Sequence, residues 1–180
     1  MKNYQLRSGQ ALLIREAEKE DASIIIDHLN MVGTETDNLT FGEGGLGISE
    51  DKEAVFIDAI SKSDNQLMIC AFIDSKLVGH LGFTGGSRPR IRHTGEFGVT
   101  VIKEYWGKGV GSELINYMIG WTKENHVIKK INLGVRSDNH SAIRLYTKLG
   151  FVSEGTITRG FFINGKFYDL INMGMEINSL

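Results

Sequence analysis

The period of the apolar positions changes several times along the chain, and each change marks an element. Leu12 to Arg15 reads as a first strand. From Asp21, placed to cap a helix, Ile24, Ile25, Leu29 and Val32 recur at about the helical period. Gly33 to Ile48 is rich in glycine, threonine and acid, which predicts a loop or broken helix. Ser49 then opens a second helix with Val55, Phe56 and Ile60 expected to face inward. Leu67 to Ile73 and Leu77 to Thr84 flank Asp74-Ser75-Lys76 and predict a hairpin. Thr94 to Val101 is β-rich, and beyond Gly111 the residues Leu114, Ile115, Met118, Ile119 and Trp121 fall on one helical stripe reaching about Asn125. A strand at Lys130 to Val135 and a helix at Ser141 to Leu149 follow. A long hairpin, Phe151 to Ile163 and Lys166 to Ile177, turns at Asn164-Gly165, a type I′ signal. Residues 1–10 are polar and predict a loose arm before one domain over 11–180. The order describes a mixed α/β layer.

Composition narrows the function classes. A chain of 180 residues suits one domain with a substantial core. A net charge of −2 gives no reason to expect nucleic acid or an acidic membrane surface as partner. Cys70 is the only cysteine, so no intrachain disulfide can form, which fits a reducing cytoplasm. The N-terminal apolar run, Ala11 to Ile14, is too short for an export signal, and no run approaches membrane-spanning length. The histidines at 28, 80, 93, 126 and 140 show no metal-ligand spacing, so no metal is expected. Only His93, three residues before Glu96, is a histidine expected near the chemistry.

The stretch from Val99 to Leu114 carries the strongest chemical signal. A strand runs into a loop with glycines at 107, 109 and 111 and then into a helix. Unpaired N–H groups and the dipole at a helix start attract an anion, and glycines let it come close. The spacing is not that of a P-loop, and Ser112 stands where a dinucleotide fingerprint needs its third glycine. The loop resembles the coenzyme A loop of the GNAT superfamily of N-acetyltransferases: Trp106-Gly107-Lys108-Gly109-Val110-Gly111 after Val99-Thr100-Val101. Trp106 replaces the usual Arg or Gln, a departure similar to the branch containing ribosomal-protein N-terminal acetyltransferases. Asn139, Ala142, Tyr146, Gly150 and Phe151 resemble the second family signature, and the likeness spans roughly Leu13 to Glu176.

That resemblance implies a single α/β domain whose mixed, mostly antiparallel sheet is flanked by helices on both faces. It implies acetyl-CoA as cosubstrate and transfer of its acetyl group to a primary amine by direct attack in a ternary complex. The cosubstrate would be held by Val99 and Val101 through their backbones, by Trp106, Gly107, Lys108, Gly109, Val110, Gly111 and Ser112 in the loop, and by Asn139 and Tyr146. An amide near Val99 would serve the oxyanion.

Attack on a thioester requires the amine to lose a proton, and the departing thiolate benefits from gaining one. Glu96 is the candidate base: it shares a strand face with Gly98 and Thr100, and its charge is costly to bury without a task or partner. A solvent-facing strand glutamate is the alternative. Tyr146 is the candidate acid by resemblance, and a core tyrosine is the alternative. Asn139 is a pantetheine ligand by resemblance, and an ordinary N-cap is the alternative, compatible with it. Cys70, mid-strand, is expected to be inert. Gly42 to Gly47 is a second glycine loop, but Glu43, Glu50 and Asp51 would repel phosphate. It is expected to be a flap over the acceptor, where Glu35, Asp37 and Glu43 would attract a cationic amine. Protein N-termini, polyamines, amino acids and drugs all fit as acceptors. A sensor that binds acyl-CoA without turnover would need only the loop and Asn139, so Glu96 and Tyr146 favour an enzyme. The apolar hairpin residues Phe161, Phe162, Ile163, Phe167 and Tyr168 suggest a homodimer.

Overall fold

A computed structural model describes residues 1–178. Eight strands form one sheet: β1 (Lys2–Gln5), β2 (Ala11–Glu16), β3 (Gln66–Ile73), β4 (Lys76–Gly85), β5 (Thr94–Val101), β6 (Lys130–Arg136), β7 (Val152–Ile163) and β8 (Lys166–Glu176). Their spatial order is β1-β2-β3-β4-β5-β6-β8-β7. Four helices accompany them: α1 (Ala22–Glu35), α2 (Glu50–Ser61), α3 (Val110–Glu124) and α4 (His140–Lys148). Ile25 and Leu29 of α1 and Ile57 and Ile60 of α2 pack on Met68, Cys70 and Phe72, one face of β3. The opposite face, with Ile69, Ala71, Leu81 and Phe83, joins Leu114, Ile115 and Met118 of α3 in a second, larger core. The expected fold class is therefore the observed one.

Several local expectations are corrected. The polar arm is no loose end: Lys2–Gln5 pairs with Ile14–Ala11 as an edge strand. Tyr4 packs on the core beside it and Leu6 is buried, so two apolar residues suffice to anchor a polar stretch. Asp21 occupies the N-cap of α1 but does not cap it. Its carboxylate holds Arg15 at 2.5 and 2.8 Å and accepts the Glu18 N–H instead. In α2 the inward stripe is Glu53, Ile57 and Ile60, while Val55 and Phe56 are exposed. Ile24 on α1 is exposed as well. Both hairpin turns adopt left-handed backbone, at Asp74 and Ser75 (φ 48° and 66°) and at Asn164 and Gly165 (φ 50° and 78°), as two-residue turns require.

One break in the sheet positions the site. Every strand pair is antiparallel except β5 with β6, and that pair runs only from Thr94–Lys130 to Glu96–Asn132. Thr94 accepts a bond from Gly86 and Ile102 donates to Val78, so even-numbered β5 residues turn their backbone groups toward β4. The odd ones, Phe97, Val99 and Val101, therefore turn theirs into the opening beyond Asn132.

Candidate active site

The glycine loop sits at the mouth of that opening. Gly109 is the N-cap of α3 with φ 100°, and Gly107 has φ 73°; both conformations disfavour any side chain. The Glu113 N–H is the first in the helix to reach back, to the Gly109 carbonyl at 3.1 Å. The N–H groups of Val110, Gly111 and Ser112 therefore have no intrahelical partner, an arrangement suited to an anion. Lys108 lies with Nζ 4.9 Å from the Tyr105 ring. Trp106 donates its indole Nε1–H to the Val101 carbonyl at 2.7 Å, so the residue standing in for Arg or Gln ties the loop to the end of β5. On the other side, Glu35 accepts the Lys103 N–H at 2.7 Å.

Two side chains flank the point where β5 and β6 part. Glu96 is exposed on the α1/α2 face and lines a cavity of about 250 Å³ with Asn132, Glu154 and Asn172. Glu154 is ion-paired to Lys130. On the opposite face Phe97, the next residue, meets Tyr146 of α4 edge-on at 5.9 Å, and Phe151 closes the cluster. Burial pushes the Tyr146 phenol up to about 12, so it holds its proton. Asn139 caps α4 through Oδ1, accepting from Ala142 N–H at 3.2 Å and Ser141 Oγ at 3.0 Å. Unpaired strand amides, the helix start and the left-handed glycines fit an acetyl-CoA molecule: a diphosphate on the loop and an amide-bearing arm along β5.

Residues 35–151 match the model of the acetyltransferase (GNAT) family. The chain belongs to the GNAT family. Acetyl-CoA-dependent N-acetyl transfer is thus its reaction class. The chain is 37% identical over 108 residues to the L-amino acid N-acetyltransferase AaaT of Escherichia coli, covering 60% of this chain and 65% of that protein. It is 36% identical over 83 residues to spermidine N(1)-acetyltransferase of Vibrio cholerae, covering 46% and 48%. The chain thus spans under two thirds of each of these relatives. A GNAT-family acetyltransferase from Streptococcus pneumoniae superposes with a TM-score of 0.91 at 36% identity, over 93% of this chain and 99% of the other.

The acidic residues of this GNAT chain are not gathered into one cluster. Glu35, on the last turn of α1, spends its carboxylate on Lys103. Asp37 is held through its carbonyl by Arg136, whose guanidinium also grips Asp138 and lies 3.9 Å from the Tyr168 ring centroid. Glu43 is exposed in the loop. That loop packs on α1, with Gly42 directly over Gly33. Cys70 is fully buried, and burial, followed by the charge of Asp21, pushes its thiol up to about 12, so it is inert. His93 is exposed, and its carbonyl accepts Lys129 and Lys130 at the start of β6.

Two other histidines are buried on the α1/α2 face, His28 on α1 and His80 on β4. Nothing in their sequence neighbourhoods marks them, because strand register and helix docking bring them together. His28 Nε2 meets Thr100 Oγ1 at 2.8 Å. Burial pushes His28 down to about 4, and burial with His28 nearby pushes His80 down to about 3. An unfolded histidine takes up its proton near pH 6.5. Unfolding therefore binds protons as pH falls below that value, so stability is full above it and is lost progressively toward the folded pKa values. At pH 5 the loss is roughly 2 kcal/mol per imidazole. Thermal melts between pH 7 and 5 should show this drop in wild type and a shallower one in His80→Gln.

Proposed function

We propose that this chain acetylates a small primary amine, which approaches on the α1/α2 face while acetyl-CoA occupies the opening between β5 and β6. One observation carries the reading: consecutive positions of β5 lead to Glu96 on one face and, through Phe97, to Tyr146 on the other, where the strands part. When bound, acetyl-CoA supplies an activated acyl group. Glu96, directly or through water, takes the amine's proton. Val99 offers its N–H to the carbonyl oxygen, and Tyr146 holds a proton for the sulfur. Val99 and Val101 line the arm, Gly107 to Ser112 hold the diphosphate, and Asn139 adds its amide. Two relatives are named for an amino acid and for spermidine as acceptors, which supports a small-molecule amine.

A panel of amino acids, polyamines, monoamines and peptides, each mixed with acetyl-CoA, should release free thiol with at least one small amine. Acetyl-CoA binding with no thiol released by any of them would overturn the proposal. Asp37 and Glu43 should favour a cationic acceptor. Asp37→Asn with Glu43→Gln should raise KM for a diamine about two- to threefold more than for an uncharged-bodied amine at low salt. The difference should vanish at high salt. Glu35 is left intact in that test because it supports the cofactor loop. We also propose that a second copy pairs along the free edge of β7, where Phe162 and the neighbouring Phe167 are exposed; sedimentation of wild type and Phe162→Glu checks it.

A further inference from the structure

β4 and β5 present three paired positions to the α1/α2 face: His80 beside Thr100, Gly82 beside Gly98, and Thr84 beside Glu96. The middle pair carries no side chains, so a bare strip of backbone lies between an imidazole and a carboxylate. The space above it is open. A Cβ on Gly98 would meet nothing within 4 Å, and one on Gly82 would meet only His80 Cε1 at 3.9 Å. Neither glycine has the left-handed backbone that would require it. Glycine inside a strand costs order and packing, and here the two lie side by side, a pattern suited to close approach by a ligand.

The two ends of the strip differ. Thr84, Glu96 and Gly98 are exposed, whereas His80 lies at the closed end, where α1 covers the sheet, and is 8% exposed. Its Nε2 is buried and has no hydrogen-bond partner. The adjoining Cε1 is the atom nearest Gly82. His28 beside it joins α1 to β5 through its Nε2 and Thr100, and its buried Nδ1, like His80 Nε2, has no hydrogen-bond partner. From Glu96 to Thr100 is four residues of strand, roughly 13 Å between Cα atoms.

We propose that the strip floored by Gly82 and Gly98 is the slot for the acceptor's amino end, and that His80 Nε2 hydrogen-bonds that nitrogen from the closed end while Glu96 faces it from the open one. This rests on the reading of the site given under Proposed function. His80 is neutral at working pH, so it orients the nitrogen without competing for its proton, which leaves toward Glu96. Two contacts from opposite ends turn the amine's lone pair toward the opening beside Val99.

The test uses the full chain and the best amine from the panel. Gly98→Val, which fits the fold, should fill the slot and lower kcat/KM for the amine about 10²-fold, as a displaced reactant does. His80→Leu should lower it about tenfold or more, and His80→Gln, which keeps a polar group there, should recover most of the loss. Acetyl-CoA affinity by calorimetry should be unchanged in all three. In wild type with ¹⁵N-labelled imidazoles, adding the amine should move the His80 Nε2 resonance and leave His28 in place. If Gly98→Val keeps wild-type kinetics and the His80 resonance does not move, the slot is elsewhere, even should His80→Leu fail to fold. If wild type releases no thiol with any amine, the functional reading falls and the slot with it; if it turns over and the variants match it, only the slot falls.

Discussion

Glu96→Gln should lower kcat/KM by about 10²–10⁴-fold at neutral pH, and the deficit should close as pH rises. A primary amine is mainly an ammonium ion at neutral pH, and the exposed Glu96 carboxylate stands on the face proposed for its approach. The amide in its place cannot take the proton. At high pH the amine arrives already neutral, so the variant approaches wild type. Tyr146→Phe behaves differently. Burial holds the wild-type phenol protonated up to about 12, so the loss of its proton persists across the whole range in which the protein can be assayed. Neither change touches the diphosphate loop, so acetyl-CoA affinity should stay within about twofold of wild type in Glu96→Gln, and Tyr146→Phe, which keeps the ring, should lose only the single contact of its hydroxyl. The experiment is a pH profile of kcat/KM for all three proteins. A Glu96→Gln curve parallel to wild type would place the base elsewhere on the same face.

Gly109→Val and Gly111→Val should each weaken acetyl-CoA binding about 10²-fold or more, the scale of several lost charge-assisted hydrogen bonds, for two different reasons. Gly109 holds φ 100° at the N-cap of α3. A β-branched residue is strained there by about 1–3 kcal/mol, so the loop shifts and the N–H groups of Val110 to Ser112 lose their common aim. Gly111 has ordinary helical backbone, and its added Cβ would sit 3.8 Å from both Leu145 and Val101. Valine there should therefore add bulk beside the N–H groups of the helix start without straining the backbone. Calorimetry gives the affinity, and thermal melting separates the causes: Gly109→Val melts earlier than wild type, whereas Gly111→Val melts close to it. A folded variant with unchanged affinity would remove its glycine from the diphosphate site.

What the sequence makes legible is whatever lies within one element or one short motif. The strand Thr94–Val101 and the shared face of Glu96, Gly98 and Thr100 follow from alternation alone. A helix after the glycines follows from the stripe beyond Gly111, although it starts earlier, at Val110, within the stretch read as loop. What it hides depends on pairings between distant segments. Gly82 and Gly98 are unremarkable until strand register sets them side by side. His80 has no motif, and its character comes from the helix that covers it. Val55 and Phe56 look like core because they are apolar, yet the register of α2 leaves them exposed. Glu35 reads as one of several loop acids, and only the fold shows its carboxylate bonded to the Lys103 backbone. Lys2–Gln5 looks polar because an edge strand needs few apolar residues to hold it.

The short pairing of β5 with β6 has a mechanical consequence. Three residue pairs join the five strands before it to the three after it, so beyond them the two parts of the sheet are held by the shared core and not by strand hydrogen bonds. A ligand lying along β5 beyond those pairs would act as mortar between the two parts. Amides near Val99 and Val135 should then exchange with deuterium far more slowly in the loaded protein than in the free one. The shortest strand pairing among the described residues and the proposed reaction site coincide, so loss of the ligand should loosen that line.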